Sequence, residues 1–400
     1  MKLLALAFRY LWARPLATVL NLVLLTLGLA SITLVVLVGE QVTRSFQRDL
    51  RGIDLVVGAK GSPMQLILSG VFHIDVPPGN VELADVQALA KKPQVAQVIP
   101  LSLGDSFRGF RIVGTTFDYV RHYEVPLAQG RPWTQSMEVV LGAQAAKGTG
   151  LKTGDRFAGN HGLGGGGHAH GNTPYQVTGV LAACGCVLDR LVLTSSESVW
   201  QVHEKTTAHD GEDRKAHEDH REVTMALVRY RTPLAAASFP RYVNSETGMQ
   251  AAAPAVEVTR LLRMLGVGSE VLQGMGAVLL LTAALSVFIA LWTAVRERRA
   301  DLAMLRMLGA SPAKVSALLL AEALWLALLA TALGLALGHG LAALVGYALQ
   351  AQQSLPLTGA IWLPEEIWIP VAALVTAGLA ALIPAASAYR VDVAQLLHTR

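Results

Sequence analysis

The chain has 400 residues, of which 52% are hydrophobic and 16% charged, and its mean hydropathy is +0.42. That excess of apolar residues excludes an ordinary soluble domain, and the charge excludes a wholly buried bundle, so one part lies in membrane and another in water. The formal charge of +4 is modest, its basic residues gather beside apolar runs, and no basic patch is interleaved with aromatics, which excludes nucleic acid as a partner.

Lys2, Arg9 and Arg14 precede Leu16–Val38, an uncharged run of about 23 residues. A cleaved signal peptide has a shorter apolar core, roughly 7–15 residues. At about 1.5 Å per residue the run spans a bilayer core of about 30 Å. Residues 1–39 therefore predict a cytoplasmic N-terminus and a first membrane helix, since Lys and Arg stay inside.

Residues 40–255 are mixed in composition and hold no spanning run, which predicts a large α+β domain on the outer side. Inside Gly52–Asp75, the piece SPMQLILSGVF is too short to span and reads as a membrane-proximal amphipathic segment. Glu82–Lys92 predicts a helix with Leu83, Val86, Leu89 and Ala90 on one face. The runs Val95–Pro100, Phe110–Gly114, Glu138–Leu141, Tyr175–Leu181, Arg190–Thr194 and Val223–Tyr230 predict strands between Gly and Pro turn signals. Thr194-Ser195-Ser196-Glu197 reads as a capping box opening a helix toward His203.

Ala251–Glu270 returns to helical periodicity through Val258, Leu261, Leu262 and Leu265. It reads as a stalk entering a second membrane helix, within residues 256–295, whose Val271–Val295 stretch carries no charge. Residues 296–314 then concentrate Arg296, Arg298, Arg299, Arg306 and Lys314 in a short connection, the pattern of a cytoplasmic loop. Leu302, Leu305 and Leu308 recur at helical spacing, widened by Ala303, Met304 and Met307, so the loop predicts an amphipathic helix. Gly309 is its expected C-cap, and Ser311-Pro312 the N-cap and first position of the next helix. An oily, basic helix of this kind lies on anionic lipid or docks a cytoplasmic partner.

The third membrane helix, in 315–349, carries Gly334, Gly338, Ala342 and Gly346 at spacings of four, which permits close backbone approach. That stripe fits packing within the chain or the seam of a dimer. Glu322 is a carboxylate inside this span, a functional-site hypothesis by default, but two turns from the cytoplasmic end it reads first as structural. Residues 350–366 form an outer loop with Glu365 and Glu366 and no Lys or Arg, 367–389 a fourth span, and 390–400 a cytoplasmic tail.

No Gly-Lys pair occurs, so the chain has no P-loop, and neither HExxH nor GxSxG is present. The chain is therefore read as no enzyme. Two features hint at metal. His161, His168 and His170 sit in a glycine-rich stretch, and His203, His209, His217 and His220 in a very polar one, with Cys184 and Cys186 between them. Imidazole and thiolate suit zinc, yet such runs are also ordinary solvated loops, and the cysteines could be oxidised instead.

The segment RERRADLAMLRMLGASPAKV resembles the connection between the second and third membrane helices of FtsX/MacB-type (type VII) ABC permeases. LAFRYLWARPLATVLNLVLLTLG resembles that family's opening helix, and EVVLGAQAAKGTGLKTGDRF, YQVTGVL and LDRLVLTS its periplasmic domain. The resemblance implies a fold of four transmembrane helices with an α+β periplasmic domain between the first two, both termini inside, in a bacterial inner membrane. It implies that Arg298, Arg299, Leu302, Leu305, Arg306, Leu308 and Gly309 contact a cytoplasmic ATPase, with ATP and Mg on that partner and no cofactor on this chain apart from possible zinc. A second permease copy and a periplasmic or lipoprotein partner are also implied. The family's work, by mechanotransmission, is export or lipoprotein extraction; a regulatory transducer and a zinc-linked system remain as alternatives.

Overall fold

In the computed structural model, which describes residues 2–13, 15–162, 174–207, 221–297, 304–351 and 357–389, the amino-terminal stretch forms two helices rather than one lead-in. α1 spans Lys2–Leu11 and α2 Pro15–Asp49. Pro15 opens α2, where its missing N–H costs nothing and its fixed φ suits a first helical position. The tail expected at 390–400 lies outside the described residues.

The chain divides into two units by its internal contacts. One holds the described residues of 1–42, 264–351 and 357–389, and the other those of 43–263. An inserted domain follows α2 with the order β1 (Leu55–Ala59), α3 (Pro63–Gly70), β2 (Val81–Glu82), α4 (Leu83–Ala90), β3 (Val95–Phe107), β4 (Phe110–Thr115) and α5 (Asp118–His122). It continues through β5 (Leu127–Gly130), β6 (Glu138–Leu141), α6 (Ala143–Thr149), β7 (Arg156–Phe157), β8 (Asn160–His161), β9 (Tyr175–Leu181), β10 (Leu191–Ser195) and α7 (Ser196–Thr207). β11 (Glu222–Val223), β12 (Met225–Tyr230), α8 (Ala235–Glu246) and β13 (Met249–Ala252) complete it, and the long helices α9 (Pro254–Glu297), α10 (Pro312–Ala351) and α11 (Trp368–Tyr389) follow.

Among the described residues, four helical stretches are long and apolar enough to cross a membrane: Pro15–Asp49, Gln273–Glu297, Pro312–Leu349 and Pro364–Tyr389. They share a core of Leu25, Leu29, Val287, Leu291, Leu319, Leu326 and the alanine row Ala373, Ala377 and Ala381. The opposite faces expose Leu281, Leu285 and Leu379, all more than half accessible, the inside-out pattern that only lipid satisfies. α1 lies on α10: Ala7 is buried with Leu318 and Ala321, Phe8 meets Trp325 edge-on at 5.4 Å, and Trp325 Nε1 donates to the Leu4 carbonyl at 3.1 Å.

The connection between α10 and α11 is tied down rather than left as a solvated acidic loop. Gln41 of α2 donates through Nε2 to Thr358 O and accepts from Thr358 N–H, both at 2.9 Å. His339 of α10 places Nδ1 2.7 Å from Gly359 O and Nε2 2.9 Å from Glu366 Oε2, while Glu366 Oε1 accepts from Leu363 N–H at 3.0 Å. Both imidazole nitrogens thus face oxygens, and Glu366, with 4% exposure, is buried where charge patterning placed it in water.

In the inserted domain an 11-stranded sheet runs β13-β1-β12-β3-β4-β10-β6-β9-β5, with β7 on β9 and β8 on β3. β4–β10 and β6–β9 pair in parallel, and the other pairs are antiparallel. One core, under α4 and α8, gathers Val86, Leu89, Phe239, Val243 and Met249. A second gathers Ile112, Leu141, Ala145, Tyr175 and Val192. One local reading is filled in and two change. SPMQLILSGVF becomes α3 with Leu66 and Ile67 fully buried in the domain, because β1 and β12 offer it an apolar surface that the sequence alone does not display. Residues 249–252 pair with β1 as a strand, so helix begins at Pro254 rather than at Ala251. The cap of α7 is Ser195, whose Oγ accepts from Ser198 N–H at 3.3 Å, while Thr194 Oγ1 donates to Glu138 O at 2.7 Å in the sheet.

His73 gives this domain an acid limit. It is buried at φ +55°, with Nε2 3.0 Å from Tyr119 Oη and Nδ1 without a partner. Burial, and then the cations Arg111 and Arg190, hold its pKa well below the usual 6.5. The folded form is therefore neutral, so its contribution to stability is complete above pH 6.5 and declines as pH falls below it, where the unfolded chain binds the proton. Melting of the domain is expected to fall from pH 7 toward pH 5. His73→Asn, which tolerates positive φ, should flatten that limb. An identical pH profile in the variant would assign the decline to other groups.

Candidate functional site

The segment between α9 and α10 carries the charge cluster singled out in the sequence. Arg298, Arg299 and Leu302 lie outside the described residues. From Met304 onward the chain is helical through residue 307 and closes in a two-bond stop: Ala310 N–H donates to Leu305 O at 3.0 Å and Gly309 N–H to Arg306 O at 3.1 Å. Gly309 sits at φ +93°, a conformation that costs glycine nothing and other residues much, so its expected cap is a Schellman motif. Ser311 then starts α10, its Oγ accepting from Lys314 N–H at 3.4 Å ahead of Pro312.

This geometry splits the leucine stripe. Leu305 and Ala310 pack against the core shared by the four spans. Leu308 is 85% exposed, and Met304 and Met307 stand out beside it. Leu305 and Leu308, read as one docking face, point different ways because the helix ends between them. The outward apolar surface is Met304, Met307 and Leu308, with Arg306 half-buried between them.

The small-residue stripe has its neighbours inside the chain. A Cβ at Gly334 would stand 2.7 Å from Leu29 Cβ, and one at Gly338 2.6 Å from Thr33 Cβ and 3.1 Å from Ala30 O. Ala342 is fully buried with Leu37, and a Cβ at Gly346 would meet the Leu357 carbonyl. The stripe is the seam between α10 and α2, with Leu357 at its end, so these positions are occupied and offer no free face to a second copy. Glu322 is 5% exposed and lines a cavity of about 50 Å³ with Tyr10, Thr18 and Asn21, whose Oδ1 has no hydrogen-bond partner. Such a chamber has room for a few waters.

His168, His170, His209, His217 and His220 lie outside the described residues, and the side chains of His161 and His203 do too. Cys184 and Cys186 are joined in a disulfide, the oxidised alternative that the sequence left open, and a bonded sulfur has no thiolate charge to offer zinc. Among the described residues no cluster of three or more His, Cys, Asp or Glu side chains is placed to hold a metal. Sequence reasoning missed the polar ties Gln41, His339 and Glu366 because their partners lie far away in the chain, and no periodicity marks such contacts.

The family model described as FtsX-like permease C-terminal matches residues 274–393, and that described as MacB-like periplasmic core domain matches residues 18–238. The "Pyoverdine export ATP-binding/permease protein PvdT" of Pseudomonas fluorescens (strain Pf0-1) is 24% identical over 363 residues, covering 85% of this chain and 51% of its own length. Its namesake from Pseudomonas aeruginosa (strain PAO1) is 29% identical over 187 residues, covering 45% of this chain and 27% of that protein. The chain thus spans about half or less of the length of these relatives. Among solved structures, the periplasmic region of MacB from Actinobacillus actinomycetemcomitans is 16% identical with a TM-score of 0.35, covering 53% of this chain and 95% of that one. The matched segments take in α2, most of the inserted domain, and the spans on either side of the Gly309 stop, and on them the chain belongs to the FtsX/MacB-type family of ABC permeases.

Proposed function

We propose that this chain is the membrane subunit of an ABC transporter whose ATP hydrolysis is performed by a separate polypeptide and whose work is done in the inserted domain, on the outer side of the bacterial inner membrane. The observation that carries the reading is the exposed Met304–Met307–Leu308 surface beside Arg306, held by a rigid Schellman turn between two spans. No P-loop occurs within these 400 residues, and a permease driven by an ATPase needs such a surface to receive motion. α9 supports the transmission step, since Pro254–Glu297 is one uninterrupted helix containing both the expected stalk and a membrane span. An α-helix keeps its length under load because each turn is cross-linked by backbone hydrogen bonds.

Export is favoured over a purely regulatory role by the relatives named for pyoverdine export. In this reading two copies of the chain pair with two ATPases, and the inserted domain expels a substrate or extracts a lipoprotein rather than passing it between the spans. A regulatory transducer differs in one observable: its partner's ATPase responds to a protein ligand and not to cargo.

The test is purification of the tagged full chain in a gentle detergent, with and without a non-hydrolysable ATP analogue, followed by mass spectrometry. A co-purifying P-loop ATPase supports the reading. Its absence under every nucleotide condition sinks it.

A further inference from the structure

The Cys184–Cys186 bridge lies in a loop whose remaining contacts go to three charged groups. Asp189 gathers the loop, accepting from Cys184 N–H through Oδ1 at 3.0 Å and from Gly185 N–H through Oδ2 at 2.7 Å. Gly185 sits at φ +63°, and a Cβ there would stand 2.5 Å from Arg48 Nη1. Arg48 donates to the Gly185 carbonyl, and Val187 N–H donates to Asp49 Oδ1 at 2.9 Å. Tyr123 Oη donates to the Asp49 carbonyl at 2.7 Å. The loop is therefore the fastening of the last turn of α2 within the inserted domain.

The two sulfurs are unequal. Cys186 is 7% exposed, whereas Cys184 is half-buried and the more accessible residue of the pair. Cys184 Sγ also lies 3.4 Å from Asp189 Oδ1 and 3.1 Å from Cys186 N–H. Those neighbours suit the reduced state: an S–H on Cys184 has an acceptor in place in Asp189 Oδ1, and a thiolate there has a donor in the Cys186 N–H.

We propose that Cys184–Cys186 is a reversible dithiol/disulfide centre, exchanging with an external dithiol, and that its redox state sets how firmly the loop holds the end of α2. The thiolate of the dithiol attacks Cys184 Sγ, the bond to Cys186 breaks, and its electron pair leaves on Cys186 Sγ, which takes a proton from water. The second thiolate of the reagent then attacks the reagent sulfur of the mixed disulfide, expelling Cys184 Sγ, which is protonated and donates to Asp189. The protein disulfide gains two electrons and two protons, and the dithiol becomes a disulfide; oxidation runs the same steps backward.

The experiment equilibrates the full chain, in detergent, across ratios of reduced to oxidised dithiothreitol. It is then quenched with a maleimide, counting labels by intact mass. Two labels are expected to appear together while the chain still melts as a folded protein, and to vanish on return to oxidised reagent. Cys186→Ser should label at Cys184 at least tenfold faster than Cys184→Ser labels at Cys186. Labels that appear only in denaturant, or reduction that abolishes the melting transition, would overturn the proposal in favour of a structural staple. Amides of residues 43–50 should exchange with deuterium at least tenfold faster in the reduced folded chain. Unchanged exchange would overturn the link to α2.

Discussion

Leu308→Asp is expected to reduce recovery of the ATPase with the tagged chain by at least tenfold while leaving insertion and melting unchanged. Leu308 is 85% exposed, so the substitution removes no packing within the chain. At a docking surface the same change deletes a buried apolar contact and adds an unpaired charge, which at interface hot spots costs about 2 kcal/mol or more. Every 1.4 kcal/mol is roughly tenfold in affinity. Met307→Asp tests the neighbouring residue, and Arg306→Glu reverses the adjacent charge. Leu305→Asp is the informative contrast. That side chain packs into the core shared by the spans, so its replacement is expected to lower melting first. If Leu308→Asp and Met307→Asp both recover the ATPase normally, the contact lies elsewhere on the chain.

Gly338→Val is expected to produce a large loss of stability in the membrane unit. A Cβ at this position would stand 2.6 Å from Thr33 Cβ and 2.7 Å from its Cγ2, closer than unbonded carbons approach, and 3.1 Å from the Ala30 carbonyl. α2 and α10 would have to separate along a seam that also includes Gly334 against Leu29. Overpacking of this kind costs about 1–3 kcal/mol, and more where backbone rather than a flexible side chain must move. Gly340→Val supplies the control, since it lies on the same helix with nothing within 4 Å of its new Cβ. Thermal unfolding in mild detergent should show a large fall for Gly338→Val and little change for Gly340→Val. Equal melting of the two would mean that α2 and α10 do not meet at this seam.

Both expectations depend on a distinction between patterns written along the chain and contacts made across it. Uncharged runs such as Val271–Val295 identify spans because a bilayer core imposes a length and refuses charge, a constraint that acts residue by residue. The Gly309 stop and the Ser311-Pro312 start were legible for a similar reason: caps are satisfied within one turn. The six β-rich runs between turn residues correspond to β3, β4, β6, β9, β10 and the pair β11–β12. β1, β2, β5, β7, β8 and β13 were not foreseen, and the burial of Leu66 and Ile67 of α3 in the domain was not legible, because the destination of a short or apolar run depends on which surface meets it.

The sequence by itself determined the family and the placing of four spans around an inserted α/β domain, together with a basic apolar segment between the second and third spans. The family is carried by the resemblance of RERRADLAMLRMLGASPAKV and its companion segments, and the rest by local length, charge and periodicity. Tertiary structure alone decided that Gly334 and Gly338 face α2, that Leu305 and Leu308 part company, that Glu366 is buried against His339, and that Cys184 and Cys186 are joined beside Asp189. Those outcomes depend on which faces meet and which atoms come within a few ångströms. A periodic pattern shows that a face exists, but its partner is set by contacts hundreds of residues apart, such as Gln41 with Thr358.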